Sequence, residues 1–95
     1  MTSPQIQAIR DRYKSSFPEK LAVIADLVEA LKESRVNAMD DAHGVLHKLA
    51  GSSGMYGYDD IAVLCRDAMV NAQRQNRDEL LKKLAELIEL LKEHS

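Results

Sequence analysis

Apolar residues return every three or four positions in five stretches of the chain, separated by short polar breaks, a spacing that predicts five amphipathic helices. The first stretch is brief: Ile6, Ile9 and Tyr13 follow Ser3-Pro4, with Pro at the first helical position, where its missing N–H costs nothing. Ser16-Phe17-Pro18-Glu19 then has the spacing of a capping box, and Leu21, Ile24, Leu27, Val28 and Leu31 form the stripe behind it. Asn37 is placed to cap a third helix, with Asp40 and Asp41 in its first turn complementing the macrodipole. Asp59 or Asp60 is placed to cap a fourth, whose apolar face is Ile61, Leu64, Cys65, Ala68, Met69 and Ala72. Asn76-Arg77-Asp78-Glu79 repeats the capping-box pattern ahead of Leu80, Leu81, Leu84, Leu87, Ile88 and Leu91. The expected helices cover 4–14, 17–34, 38–55, 59–74 and 77–93. Connections this short fold successive helices back on one another. The expected fold is all-α: an antiparallel four-helix bundle with a short extra N-terminal helix, spanning 1–95 as one domain.

Composition narrows the function. A chain of 95 residues holds one core, not two. Its net charge of −2 lacks the basic footprint of a nucleic-acid binder. No apolar run approaches the roughly 20 residues that span a bilayer. The opening Met-Thr-Ser-Pro-Gln lacks the basic and apolar regions of a secretory signal, so a cytoplasmic location is expected. The single cysteine, Cys65, forms no internal disulfide and no cysteine-based zinc cage; it falls in an apolar stripe and reads as a buried thiol.

The third helix carries the chemistry. On a wheel turning about 100° per residue, Met39, Ala42, Leu46, Leu49 and Ser53 share one arc, which is the core face. His47 lies outside that arc, and Asp40, His43, Gly44, Ala50, Gly51 and Gly54 surround it within about 60°. Three of the chain's four glycines therefore gather about one histidine. Each glycine in a helix interior costs about 1 kcal/mol relative to alanine. Stability alone does not explain that cost, whereas clearing a face for the approach of another macromolecule does.

A lone exposed imidazole, with a reference pKa near 6.5, is substantially neutral at pH 7 and a competent nitrogen nucleophile. Ser52 and Ser53 turn more than about 100° away from His47, so no Ser–His arrangement forms. No glycine-rich phosphate loop joins a strand to a helix. A nucleophile without its own substrate pocket suits a group carrier, with metal and acidic residues supplied by the partner.

His47-Lys48-Leu49-Ala50-Gly51-Ser52-Ser53, followed by Gly57, resembles the signature of histidine-containing phosphotransfer (HPt) domains. Leu64-Cys65-Arg66 is similar to the helix that follows in that family. The resemblance implies a four-helix bundle that accepts a phosphoryl group on His47, rather than on His43 or His94, and passes it between aspartates of receiver domains. It implies no ATP site and no resident cofactor, with magnesium held by the receiver, and a phosphoryl carrier rather than an enzyme. The partners it implies are receiver domains of response regulators or of a hybrid sensor kinase. Ala50 stands where the family often has Lys. Lys48 is then the nearest charge for the phosphoryl group, about 100° round the helix. Many members also place a Gln on the next helix to bond the imidazole; the nearest position here is Met69.

His43, Gly44, Ala50, Gly51, Gly54 and Met55 are the expected docking residues around His47. A monomer is expected, because one helix face must stay free. Two other classes remain. One is a helical adaptor that binds a receiver or another protein without being phosphorylated. The other is zinc or copper binding by His43 and His47, four residues apart; three ligands counted with Asp40 on one exposed helix make a poor closed site, so no metal is expected. Met55, Tyr56 and Tyr58 are read either as packing at the end of the third helix or as partner contacts.

Overall fold

The computed structural model describes residues 3–95; Met1 and Thr2, at the head of the opening segment, lie outside the described residues. Five helices follow in order: α1 (Pro4–Lys14), α2 (Phe17–Lys32), α3 (Ala38–Met55), α4 (Asp59–Gln73) and α5 (Arg77–His94). Helix α3 packs on α2 and α4, and α5 packs on the same two, so α2 to α5 form a closed antiparallel ring. Every helix of the ring contributes to one core. Phe17, Ile24 and Leu31 from α2 meet Leu46 and Leu49 from α3, Ile61 and Cys65 from α4, and Leu80, Leu84, Leu87 and Leu91 from α5.

Helix α1 buries no residue completely. Ile6 and Ile9 stay about half exposed, and only Tyr13 of the expected stripe packs on the core. Helix α1 precedes α2 as an N-terminal extension, and the long axis of the molecule is 44 Å. Tyr13 anchors this extension at the end of the bundle where α3 stops and α4 starts. Its ring stacks on Tyr56 at 4.6 Å and meets Phe17 edge-on at 5.7 Å.

The helix starts follow the sequence in part. Ser3 accepts from the Ile6 N–H at 3.2 Å, with Pro4 behind it, and Asn76 accepts from the Glu79 N–H at 3.3 Å. Ser16 makes no capping bond, contrary to the capping-box reading. Ser15 and Ser16 form a tight turn between α1 and α2, with the Ser16 N–H on the Tyr13 carbonyl, and the Ser16 hydroxyl turns back to donate to that carbonyl and accepts from Lys20. Asn37 occupies its N-cap position in the left-handed region at φ 66°, which an Asn tolerates, and its side chain caps nothing. Helix α4 is preceded by Tyr58 rather than by an aspartate cap. Gly57, at φ +84°, makes the turn there, and burial of the Tyr58 ring sets the entry angle. Helix α2 ends at Lys32, two residues before Ser34, which is itself left-handed at φ 53°.

Candidate functional site

His47 stands in the middle of α3 with its side chain exposed. Helix α3 can carry it because Ala42, Leu46, Leu49 and Ser53 bury the opposite side, leaving His47 on the outer arc. No hydrogen-bond partner to the ring is found among the described residues, and the ring nitrogens are open to an incoming group. A Cβ added at Gly44 or Gly51 meets nothing within 4 Å beyond the helix's own backbone. These two glycines lie one turn before and one turn after His47, so the imidazole rises from a lowered surface. Neither glycine is required by backbone strain or close packing within the chain.

The other expected docking residues divide. Met55 is 78% exposed at the C-terminal end of the same helix. Gly54 is half-buried, and a Cβ there meets the Arg66 guanidinium at 3.8 Å and the Ala62 methyl at 3.9 Å, so it faces α4. Ala50 is a correction: it is 5% exposed and belongs to the core cluster. At about 60° from His47 it is equally about 60° from the centre of the core arc, and α4 covers it. A side chain so covered offers no surface to a partner. Lys48 is exposed, on the flank of α3 facing α2. With Lys20, Val23, Ile24, Val45, Leu49 and Ser52 it borders a mostly apolar groove of about 390 Å³ between the two helices. Burial lowers the Lys20 ammonium pKa, opposed by the charge of Glu19.

His43 is half-buried, one turn before His47. The two rings are parallel within 3°, with centroids 6.5 Å apart. From α4 the Gln73 side-chain amide reaches the His43 ring, Nε2 to Nε2 at 3.3 Å. Asp40, His43, Ala72, Gln73 and Gln75 border the open cleft at this point. Gln73 is a site contact that sequence reasoning missed. The signal for it lay in the hairpin register: Gly54 and Ala62, four residues on either side of Tyr58, touch across the pair. The same register sets His47 level with Met69 and His43 level with Gln73. Met69 has no donor to give an imidazole, whereas Gln73 does, and it is spent on His43. Among the described residues no three His, Cys, Asp or Glu side chains converge as a metal site.

The remaining chemical groups are structural. Cys65 is fully buried, and burial pushes its thiol up to about 12, with Arg66 opposing weakly. Tyr56 and Tyr58 belong to the aromatic cluster around Tyr13 and Phe17 rather than to an open face. His94 lies at the far end of α5, where its Nε2 is 2.7 Å from Asp60 Oδ2 and its ring meets Tyr58 edge-on.

An all-α antiparallel bundle with an exposed histidine midway along one helix is the architecture of a phosphotransfer module, and a family model agrees. The Hpt domain model matches residues 8–94, nearly the whole chain, and the protein belongs to that family. No curated protein and no solved structure matches the chain. Hpt domains are histidine phosphotransfer modules of phosphorelays; they carry phosphoryl groups, interact with receiver domains and have no kinase activity of their own. Among the described residues no helix is long and apolar enough to cross a membrane.

Proposed function

We propose that this protein is a cytoplasmic phosphoryl carrier in a two-component phosphorelay, with His47 as the acceptor. The observation that carries the reading is the exposed His47 imidazole between Gly44 and Gly51, at which an added Cβ would meet nothing. A receiver domain bearing an aspartyl phosphate would dock over this cleared stretch of α3, and its magnesium would hold the phosphoryl oxygens. The unprotonated ring nitrogen of neutral His47 attacks phosphorus. The N–P bond forms as the O–P bond of the acyl phosphate breaks, the aspartate leaves as carboxylate, and the second ring nitrogen keeps its proton. Discharge to another receiver runs the same exchange in reverse. No group of this chain has to act as a base, because the attacking nitrogen carries no proton.

His43, Gly44, Gly51, Gly54 and Met55 form the docking rim in this reading, with Lys48 on the flank toward α2. The test is transfer of labelled phosphate from a phosphorylated receiver to the native chain and to His47→Gln. A label on the native chain alone, acid-labile and alkali-stable, supports a phosphohistidine at His47. Receiver binding without any label on the native chain would favour a non-phosphorylated adaptor.

A further inference from the structure

We propose that His43 is the charge partner of phosphorylated His47, held in place by Gln73. The inference rests on the His47 reading and concerns how the phosphoryl group is accommodated once it is there. A phosphorylated ring carries oxygens with a charge of about −1.5 to −2 near pH 7, and exposed anions are stabilised by a neighbouring cation or donor. The side chain three residues after His47, Ala50, is buried and supplies neither. Lys48 points along the flank toward α2, into the groove it shares with Lys20. On α4, Met69, level with His47, has no donor, and the Arg66 guanidinium lies against Gly54, two turns along α3 from His47. The ring of His43, 6.5 Å away and parallel to that of His47, is the side chain left on that stretch of helix that can gain a positive charge near neutral pH.

Gln73 fits this role in either protonation state. Its amide nitrogen donates to the unprotonated Nε2 of a neutral His43; turned over, its carbonyl oxygen accepts from the Nε2–H of an imidazolium. The contact therefore survives the gain of a proton and keeps the ring from swinging away. The groups that face His43 are Asp40 and His47 on its own helix, Gln73 at the end of α4 and Gln75 in the turn after it. Asp40 is the one carboxylate among them. Phosphorylation of His47 then draws a proton onto His43, and dephosphorylation releases it.

The experiment charges the native chain, His43→Gln, His43→Lys and Gln73→Leu from one phosphorylated receiver at low salt and measures the fraction carrying phosphohistidine at equilibrium. An exposed ion pair of ordinary strength corresponds to a two- to five-fold lower phosphohistidine-to-free ratio in His43→Gln. His43→Lys restores the ratio, Gln73→Leu gives an intermediate loss, and 0.5 M salt closes the gap between native and His43→Gln. With the receiver removed, the ring ¹⁵N signals of His43 in the native chain move toward the imidazolium pattern on phosphorylation of His47. A native chain that takes no label overturns the His47 reading and this inference with it. A native chain labelled on His47 overturns this inference alone if His43→Gln charges equally well, if His43→Lys fails to restore the ratio, or if the His43 ring signals do not move.

Discussion

The Tyr13 hydroxyl lies 3.0 Å from the Oγ of Ser53, the one fully buried polar side chain among the described residues, and 2.6 Å from the Oγ of Ser52. One phenol thus satisfies the buried serine of α3 and fastens the N-terminal extension to the bundle. Ser53 sits on the core face of the helix that carries His47, so this bond fixes the C-terminal half of α3 behind the docking rim. The Lys20 ammonium rests over the Tyr13 ring, 4.7 Å from its centroid, a cation–π contact that adds to the anchor.

Tyr13→Phe keeps the stacking on Tyr56 and leaves Ser53 without its partner. A buried hydroxyl left unpaired costs about 1–3 kcal/mol, and in a domain of this size the melting temperature falls by roughly 4–8 °C per kcal/mol. Tyr13→Phe combined with Ser53→Ala loses less than the sum of the two single changes, because the orphaned group is gone. Thermal melts of the four proteins in this cycle check it. Additive losses would show that the hydroxyl pair contributes nothing as a pair.

Cys65 is a structural thiol. Burial holds it up to about 12, so the thiolate is scarce at neutral pH and access is closed. A thiol-reactive chromophore therefore labels the native protein slowly and the urea-unfolded protein at the rate of a free cysteine. Fast labelling of the folded chain would mean that α4 opens locally far more often than its packing implies.

The Asp60–His94 pair links the start of α4 to the end of α5. Burial pushes the Asp60 carboxyl up, but hydrogen bonds from His94 and from the Ile61 N–H, with the charge of His94, outweigh it and hold the carboxyl below its usual range. A depressed carboxylate stabilises the fold fully above the unfolded-state pKa of about 3.9 and loses that contribution as the pH falls through the lower folded value. Both side chains are partly exposed, so Asp60→Asn costs under about 1 kcal/mol at pH 6. The stability difference between native and Asp60→Asn shrinks below about pH 4. Urea melts across pH 2.5–6 check the sign; a difference that grew toward low pH would contradict the assignment.

The helices and the exposed histidine were legible because both follow from periodicity: the apolar stripes fix which arc of each helix is buried, and His47 falls outside the arc of α3. What periodicity cannot resolve is the edge of an arc. Ala50 sits midway between His47 and the core centre, and whether so small a side chain is covered depends on how closely α4 approaches. Gly54 turns toward Ala62 and Arg66 for the same reason. The caps failed where a tertiary contact chose the backbone first. Tyr58 is buried and sets the entry to α4 before any aspartate can cap it, and in the turn between α1 and α2 the Ser16 hydroxyl is taken by the Tyr13 carbonyl. Gln73 is not legible from the His47 motif, because the position level with His47 is Met69 and the amide lies one turn away, level with His43.

The cleared face of α3 has a consequence that separates stability from function. At Gly51 a side chain has open space, and glutamine has a better helix propensity than glycine by about 0.5 kcal/mol. Gly51→Gln therefore folds at least as stably as the native chain, with the same helicity by circular dichroism. On the function side, the new side chain rises one turn from His47, on the surface a receiver would have to cover. A receiver held by the native chain is expected to bind Gly51→Gln at least fivefold more weakly, since forcing a bulky group into a close-packed approach costs about 1–3 kcal/mol. Phosphoryl transfer at sub-saturating receiver falls in parallel, while transfer at saturation falls less. Gly44→Gln, one turn on the other side, should act in the same direction. If both variants bind and transfer as the native chain does, the glycines clear nothing, and the receiver must reach His47 from the Lys48 flank instead.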